Sequence, residues 1–226
     1  MRPKRILILG AGGNSLSIAD AIVAINATVP SSPVYELVGY LDDLPVNRDR
    51  RMLGFPVVGN IKDAQRWPDC YFINGIASIE SFRRKVDVIA RSGIPRERFE
   101  TIIHPSAVIS IAARIGAGCA IMANSVICSE ANVEDHVIVL QNSSVNHHSK
   151  IGRLATISAG VTVLGGVEVG ENAFISGGVS IAPYIKVGAG ALIGLGSSVI
   201  RDVVPGTVVA GSPARELPTS RYASKL

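Results

Sequence analysis

Residues 103–204 repeat with a period of six. Stepping by six from Ile103, all 17 positions hold Ile or Val. They are Ile103, Ile109, Ile115, Ile121, Ile127, Val133, Val139, Val145, Ile151, Ile157, Val163, Val169, Ile175, Ile181, Val187, Ile193 and Val199. A small or aliphatic residue follows each of them four positions later, as at Ala107 and Cys119. Internal repetition therefore governs the fold of the second half of the chain.

A six-residue repeat of aliphatic side chains predicts a parallel β-helix. Each unit forms one flat side, and three units form a triangular coil with Ile and Val stacked inside, at ~4.8 Å between stacked strands. Six-residue sides are typical of the left-handed form. The corner after each side requires a positive φ, which Gly and Asn tolerate. Nine of the 17 fourth positions meet this need: Gly118, Asn124, Asn142, Gly160, Gly166, Asn172, Gly178, Gly190 and Gly196.

The first half has a different composition. Residues 1–102 carry 25 of the 40 charged residues and 8 of the 11 aromatic residues, which indicates a separate domain. Predicted strands alternate there with predicted helices, typical of a small, Rossmann-like α/β domain with a parallel sheet. The strands are Arg5–Gly10, Tyr35–Leu41 and Cys70–Ile73, and the helices are Ser15–Asn26 and a segment around Ile79–Arg91. We therefore divide the chain into an α/β domain (1–102), a β-helix (103–205) and a tail (206–226).

Composition and charge exclude several classes of function. The net charge of +4 is mild and no cluster of Lys and Arg is present, which argues against a nucleic-acid partner. No stretch offers the ~20 continuous apolar residues that membrane insertion requires. Three cysteines cannot form a full disulfide framework, so we expect a reducing, cytoplasmic setting.

Of the four histidines, His147 is the one whose position the corner pattern does not explain. His136 and His148 occupy corner positions and His104 lies at the domain junction, where structural roles are expected. His147 is a third-position residue, and the residue one coil above it is Gly165, which leaves space for an extended ligand. A zinc site built from three of these histidines is an alternative that their spacing disfavours.

A glycine-rich loop follows the first predicted strand and opens the first predicted helix. Backbone N–H groups at such a helix start favour a phosphate or another anion. The loop contains Gly10, Gly12, Gly13 and Asn14, and Ser15 stands where the dinucleotide fingerprint has its third glycine. A mononucleotide or nucleotide-sugar site is therefore favoured over an NAD site. A glycine-rich turn without a ligand remains the alternative.

Several motifs together carry a resemblance to a known family. They are Ile6–Gly13 (ILILGAGG), Gly39–Asp43 (GYLDD), Ile103–Ala107 (IHPSA), Val145–His147 (VNH), Arg201–Pro205 (RDVVP) and Gly211–Arg215 (GSPAR). The chain resembles the left-handed β-helix acetyltransferases that act on sugars. These are the nucleotide-amino-sugar N-acetyltransferases and the related sialic acid O-acetyltransferases. The resemblance covers nearly the whole chain.

This resemblance implies an acetyl-CoA-dependent enzyme, a homotrimer with active sites in the grooves between neighbouring prisms. His147 matches the family's general base, and transfer would be direct, without an acyl-enzyme. The residues expected to bind the nucleotide sugar are Gly10, Gly12, Gly13, Asn14, Asp42 and Asp43. Those expected beside acetyl-CoA are Gly165, Thr156, Pro183, Lys186, Gly211 and Arg215, with Lys186 and Arg215 as phosphate partners. No metal is expected.

Two departures from the family pattern bear on the substrate and the base. Relatives often have Asp or Glu after the catalytic His, whereas this chain has His148, and Glu130 one coil below supplies the nearest candidate carboxylate. Many relatives have His where this chain has Thr156. We predict N-acetylation of a nucleotide-linked amino sugar for surface glycan biosynthesis. The alternatives are O-acetylation of a sialic acid or another sugar hydroxyl, a non-catalytic nucleotide-binding prism, and a metal-dependent hydratase.

Overall fold

A computed structural model of the chain describes residues 2–217. The N-terminal part is a five-stranded sheet with the strand order β3-β4-β2-β1-β5, in which every pair is parallel except β3–β4. Its strands are β1 (Lys4–Leu9), β2 (Tyr35–Leu41), β3 (Arg51–Met52), β4 (Phe55–Gly59) and β5 (Cys70–Asn74). Its α-helices are α1 (Gly13–Thr28) and α2 (Lys85–Arg91), and its 3₁₀ turns are Pro45–Asn47, Ile61–Arg66, Phe82–Arg84 and Arg96–Arg98.

The three predicted strands and the first predicted helix are confirmed, with small changes at their ends. The β3–β4 hairpin was not predicted, and β4 joins the sheet beside β2. The second predicted helix was expected to begin near Ile79, but α2 begins only at Lys85. The cause is a local turn in which the amides of Ser81 and Phe82 both donate to the Ser78 carbonyl.

The second half is a prism of 17 two-residue strands, β6 to β22, arranged on three sides. The docked side contains β6 (Ile102–Ile103), β9 (Ala120–Ile121), β12 (Ile138–Val139), β15 (Thr156–Ile157), β18 (Phe174–Ile175) and β21 (Leu192–Ile193). The small-residue side contains β7 (Val108–Ile109), β10 (Val126–Ile127), β13 (Ser144–Val145), β16 (Thr162–Val163), β19 (Ser180–Ile181) and β22 (Ser198–Val199). The charged side contains β8 (Arg114–Ile115), β11 (Asn132–Val133), β14 (Lys150–Ile151), β17 (Glu168–Val169) and β20 (Lys186–Val187).

The register within the prism is the one that the repeat predicts. Strands pair in parallel with partners 18 residues away, as Ile127 does with Val145. The second residue of each strand points inward, and these side chains form one continuous apolar core. Every sixth residue from Gly118 to Gly196 has a φ between 53° and 69°. The predicted left-handed β-helix and its Gly and Asn corners are confirmed, and Asn124 donates to Asn142 at 3.3 Å.

The outward faces of the three sides differ, and the difference decides where the N-terminal part sits. On the docked side the outward residues are apolar or small and are all buried: Ile102, Ala120, Ile138, Thr156, Phe174 and Leu192. Helix α1 packs on the lower three of these residues. Higher on the same side, Phe82 packs on Phe174 with a ring separation of 5.3 Å. The α/β part therefore covers one whole side of the prism.

One charged residue lies inside this interface. Lys85, the first residue of α2, is fully buried, and its ammonium group donates to the hydroxyl oxygen of Thr156 at 2.9 Å. Burial lowers the pKa of Lys85 from 10.5 to about 7. The interface thus contains an amine that is largely deprotonated at slightly alkaline pH.

The chain after the last prism strand remains attached to the docked side. β23 (Val208–Gly211) pairs in parallel with β21, and β24 (Ala214–Glu216) turns back to pair antiparallel with β23. Much of the segment interpreted as a tail, residues 206–226, thus extends a sheet of the prism. Residues 218–226 lie outside the described part of the chain.

Candidate active site

His147 lies on the prism edge between the small-residue side and the charged side. We call this the free edge and define it by the third-position residues of its turns: Ile111, Ser129, His147, Gly165, Pro183 and Arg201. His147 is exposed. A Cβ atom added at Gly165 would lie 2.5 Å from His147 Cε1, so the imidazole occupies the space that a side chain at position 165 would need. The predicted juxtaposition of His147 and Gly165 is present in the structure.

The backbone beside the imidazole offers an unused donor. Within residues 2–217 no acceptor pairs with the N–H of Gly165, whereas the next amide, that of Gly166, donates to the His147 carbonyl at 2.9 Å. A free amide next to a candidate base is suited to an oxyanion.

The two other predicted catalytic residues form a pair next to His147. His148 Nδ1 lies 3.0 Å from Glu130 Oε2 across adjacent coils, and both side chains are more than half exposed. The His147 and His148 rings meet edge to face with centroids 5.2 Å apart. His148 and Glu130 have φ values of 59° each, as expected for corner residues. The predicted proximity of Glu130 is present, and its catalytic role stays a prediction.

The remaining histidines have structural surroundings. His136 packs on Phe99 with centroids 4.4 Å apart, and burial lowers its pKa to about 4. The Nδ1 atom of His104 accepts from the Ser106 amide at 3.1 Å. In the described part of the chain no group of three or more His, Cys, Asp or Glu side chains could hold a metal ion.

The predicted glycine loop has an open helix start. Gly12 caps α1 without any side-chain hydrogen bond, and the first turn contains no acidic residue. A Cβ atom added at Gly12 or Gly13 would meet nothing within 4 Å, so this backbone faces open space. Gly10 has a different role: its φ is 94°, and an added Cβ would lie 2.8 Å from Ile76 Cγ1.

The other predicted sugar-binding residues make hydrogen bonds to the backbone of the neighbouring loops. The Asp42 carboxylate accepts from the Ala11 amide at 2.6 Å and from the Leu44 amide at 2.8 Å. Asp43 accepts from the Ile61 amide at 2.9 Å. Asn14 donates to the Ala77 carbonyl at 2.9 Å. Asp42, Asp43 and Asn14 therefore fix the loops around the helix start, and their contact with a ligand stays a prediction.

A cleft of about 540 Å³ opens beside Asp43, at the carboxyl ends of β2 and β4. Ligands of open α/β sheets bind at this end of the strands. Lys62 and Arg91 line the cleft and supply positive charge. Sequence analysis missed these two residues, because isolated basic side chains in a helix or turn look like ordinary surface residues.

The residues predicted to hold acetyl-CoA fall into two groups. Gly165 and Pro183 lie on the free edge, and Lys186 begins β20 on the adjoining charged side, with its ammonium 3.8 Å from a Glu168 oxygen. Gly211 and Arg215 lie in the β23–β24 hairpin, at the end of the docked-side sheet. The structure does not bring these two groups together within one chain.

Thr156 has a different position from the predicted one. It is fully buried on the docked side and hydrogen-bonded to Lys85. It gives a ligand no access, so we correct its assignment from coenzyme binding to the domain interface. The cause is the outward orientation of Thr156 on the side that the α/β part covers.

The glycine loop belongs to the α/β part, whereas His147 lies on the free edge of the prism. The α/β part packs on the docked side, and the free edge is the edge opposite to that side. A single chain therefore holds the base and the nucleotide-type loop apart.

None of the described helices is both long enough and apolar enough to cross a membrane.

Comparison with known proteins extends these observations. A scan against protein-family models finds no match, and a search of curated proteins finds none either. Among solved structures, the acetyltransferase domain of PglB from Neisseria gonorrhoeae FA1090 is 26% identical with a TM-score of 0.81, covering 95% of this chain and 100% of that one. The same domain has been solved in complex with acetyl coenzyme A. PerB from Caulobacter crescentus, in complex with CoA and GDP-perosamine, is 25% identical with a TM-score of 0.79, covering 94% and 97%.

The predicted resemblance to the sugar acetyltransferases is confirmed. Both the α/β part and the prism are included in the similarity, since it spans nearly the whole of each chain. The predicted enzyme class and donor agree with these neighbours, since the PglB domain is an acetyltransferase that has been solved with acetyl coenzyme A. WeeI from Acinetobacter baumannii AYE, 22% identical with a TM-score of 0.77, shares the fold over 95% of this chain and 100% of its own.

Proposed function

We propose that the chain transfers the acetyl group of acetyl-CoA to the amine of a nucleotide-linked amino sugar, a step in surface glycan biosynthesis, with His147 as general base. The observation that carries the proposal is the packing of His147 on Gly165, beside a free backbone amide. Base and oxyanion donor lie on the same short stretch of the free edge. The GDP-perosamine bound to PerB, an amino-sugar nucleotide, supports the substrate class.

The reaction follows from these groups by direct transfer. The sugar amine attacks the thioester carbonyl, forming a C–N bond, while His147 accepts the proton that the nitrogen loses. The Gly165 N–H stabilises the oxygen of the tetrahedral intermediate. The C–S bond then breaks, and the proton passes from His147 to the leaving thiolate. The Glu130–His148 pair packs against His147 and restricts its orientation.

The α/β part provides the nucleotide site in this proposal. The open start of α1 offers backbone donors to a diphosphate, and its macrodipole favours the same charge. Asp42 holds the loop through the Ala11 amide. Lys62 and Arg91 supply positive charge in the cleft beside Asp43. The three cysteines are free thiols, as a reducing, cytoplasmic location allows.

We further propose a homotrimer in which each active site combines two chains. The support is the separation of the glycine loop from the free edge within one chain. A neighbouring prism that presents its free edge to this chain's α/β part would close the site.

A complementation experiment tests the shared site. The Gly12→Glu variant places a carboxylate where phosphate should bind, and its side chain starts in open space, so folding is preserved. Coexpressed with His147→Ala, it should restore about one quarter of wild-type activity through randomly mixed trimers. Each variant alone is expected to be nearly inactive. No recovery in mixed assemblies of verified composition would show that base and loop act within one chain.

A substrate panel tests the reaction itself. Release of CoA should be measured with UDP-, GDP- and dTDP-linked amino sugars, each beside its hydroxyl counterpart. We expect turnover with at least one amino sugar, little with its hydroxyl counterpart, and a product that survives alkali as an amide. An alkali-labile product would indicate O-acetylation instead. Nucleotide binding without any acetyl-CoA binding, measured by calorimetry, would favour a non-catalytic prism.

A further inference from the structure

Ser149 places a hydroxyl group inside the prism, one coil below Gly165. It is the fifth residue of the six-residue unit that contains His147, it is fully buried, and its hydroxyl donates to the Leu164 carbonyl at 2.9 Å. The fifth positions of the other free-edge turns are apolar: Ala113, Ala131, Val167, Ile185 and Val203. Among these six positions Ser149 alone has a hydroxyl, and it belongs to the turn that holds the candidate base.

The peptide bond that receives this hydrogen bond is the one whose amide lies beside His147. The Leu164 carbonyl and the Gly165 N–H belong to the same planar, trans peptide, so they point in nearly opposite directions. Within residues 2–217 no backbone N–H donates to this carbonyl and no acceptor pairs with this N–H. The Ser149 hydroxyl thus holds the carbonyl toward the prism interior, and this turns the Gly165 N–H outward.

The same arrangement occurs a second time in the chain, where it binds an anionic oxygen. The Thr101 hydroxyl donates to the Gly116 carbonyl at 2.8 Å, again 15 residues further along. The amide of the same peptide, that of Ala117, donates to a carboxylate oxygen of Asp135 at 2.8 Å. One peptide therefore accepts from a hydroxyl on one side and holds a negatively charged oxygen on the other. The peptide before Gly165 has the hydroxyl in place, which suits its N–H to the same kind of oxygen.

The hydroxyl also makes the amide a better donor. Hydrogen bonds in series polarise one another, by roughly 10–30% per bond, so a carbonyl that accepts a hydrogen bond strengthens the N–H of its own peptide. The oxygen of a tetrahedral intermediate carries more negative charge than the oxygen of a thioester. A fixed and polarised N–H therefore stabilises the intermediate more than the bound substrate, and its contribution is expected in kcat rather than in KM.

We propose that Ser149 is a positioning residue for acetyl transfer, whose buried hydroxyl directs the Gly165 amide toward the oxyanion. This inference rests on the proposed acetyltransferase function and adds to it a residue that no ligand contacts. Ser149 acts only through the Leu164–Gly165 peptide, from the interior of the prism.

Two substitutions of Ser149 test this role. Ser149→Ala removes the hydroxyl and should lower kcat about tenfold, less than the 10²–10³-fold that loss of a whole oxyanion donor produces. Both KM values should change little, and the midpoint of the pH dependence of kcat should stay the same, because the His147 imidazole is unaltered. Ser149→Cys keeps a donor, as Cys119 does when its thiol donates to the Glu134 carbonyl at 3.0 Å. It should be several-fold more active than Ser149→Ala.

Ser125→Ala is the matched control. Ser125 is equally buried, and its hydroxyl donates to the Leu140 carbonyl at 3.0 Å, the same contact on another edge of the prism. Each alanine variant leaves one carbonyl without its donor, so both should lower the melting temperature by a similar few degrees. Ser125→Ala should nevertheless keep the wild-type kcat.

The outcomes separate this inference from the proposed function. Wild-type kcat in Ser149→Ala would overturn the inference, as would an equal loss of kcat in Ser125→Ala or a shifted pH dependence. A cysteine variant no more active than the alanine variant would also overturn it. Absence of acetyl transfer by the wild-type protein on the whole substrate panel would instead overturn the proposed function.

Discussion

Replacing His147 with Ala is expected to lower kcat by about 10²–10⁴-fold, the usual contribution of a positioned general base. The imidazole packs over Gly165 beside the free amide, and its loss removes the side chain that we propose accepts the proton from the attacking amine. The KM values for acetyl-CoA and the sugar nucleotide should change little, because the loss affects the transition state more than ground-state binding. Steady-state CoA release is the measurement.

Two further substitutions make this result specific. His104→Ala removes a histidine whose Nδ1 accepts from the Ser106 amide and should retain activity. Gly165→Ala keeps His147 but places a methyl group 2.5 Å from its ring, so the imidazole must move and kcat should fall by a similar order. Full activity of the His147→Ala protein would remove this residue from the mechanism.

The prism could be predicted from the sequence because its structure is periodic. An interior position recurs every six residues, and each corner imposes a positive φ that shows in the residue type. The same register places His136 and His148 at corners, where a positive φ accounts for them. It places His147 at a third position, where corner conformation does not account for a histidine. The repeat pattern therefore predicts the fold of the prism and singles out His147, whereas its role as the base is implied by the resemblance to the sugar acetyltransferases.

The docking of the α/β part was harder to predict. The outward positions of one side hold apolar residues at intervals of 18, from Ile102 to Leu192, and this pattern could have identified the covered side. Thr156 belongs to that series, which explains its burial. Lys85 carried no such signal, because a lysine in a short helix normally faces solvent.

Lys85→Met is expected to stabilise the protein at neutral pH. The pKa of Lys85 falls from 10.5 to about 7 through burial, so charging this amine in the folded protein costs several kcal/mol, at ~1.4 kcal/mol per pH unit. Its hydrogen-bond partner is the neutral Thr156 hydroxyl, which provides no opposite charge. Methionine fills a similar volume without that cost, and replacement of buried charge by apolar side chains has stabilised proteins by about 1–4 kcal/mol.

The sign of the pH dependence follows from the two pKa values. Between pH 7 and 10.5 the unfolded chain holds the Lys85 proton and the folded protein does not, so the wild-type free energy of unfolding rises with pH across this interval. The variant lacks this contribution. Its advantage over wild type should therefore be largest near pH 7 and shrink toward pH 10, as the pH approaches the lysine pKa of 10.5 in the unfolded chain. Urea unfolding of both proteins at equal concentration from pH 7 to 10 measures the difference.

A second variant separates charge from the loss of a hydrogen bond. Lys85→Met alone leaves the Thr156 hydroxyl buried without its partner, which costs about 1–3 kcal/mol. Lys85→Met with Thr156→Val removes both polar groups and should show the full stabilisation. A variant that is destabilised equally at every pH would mean that folding does not shift the pKa of Lys85, so that the amine is protonated to the same extent in the folded and unfolded protein. A pH-dependent gain would establish that Lys85 loses its proton on folding, as its burial at the interface requires.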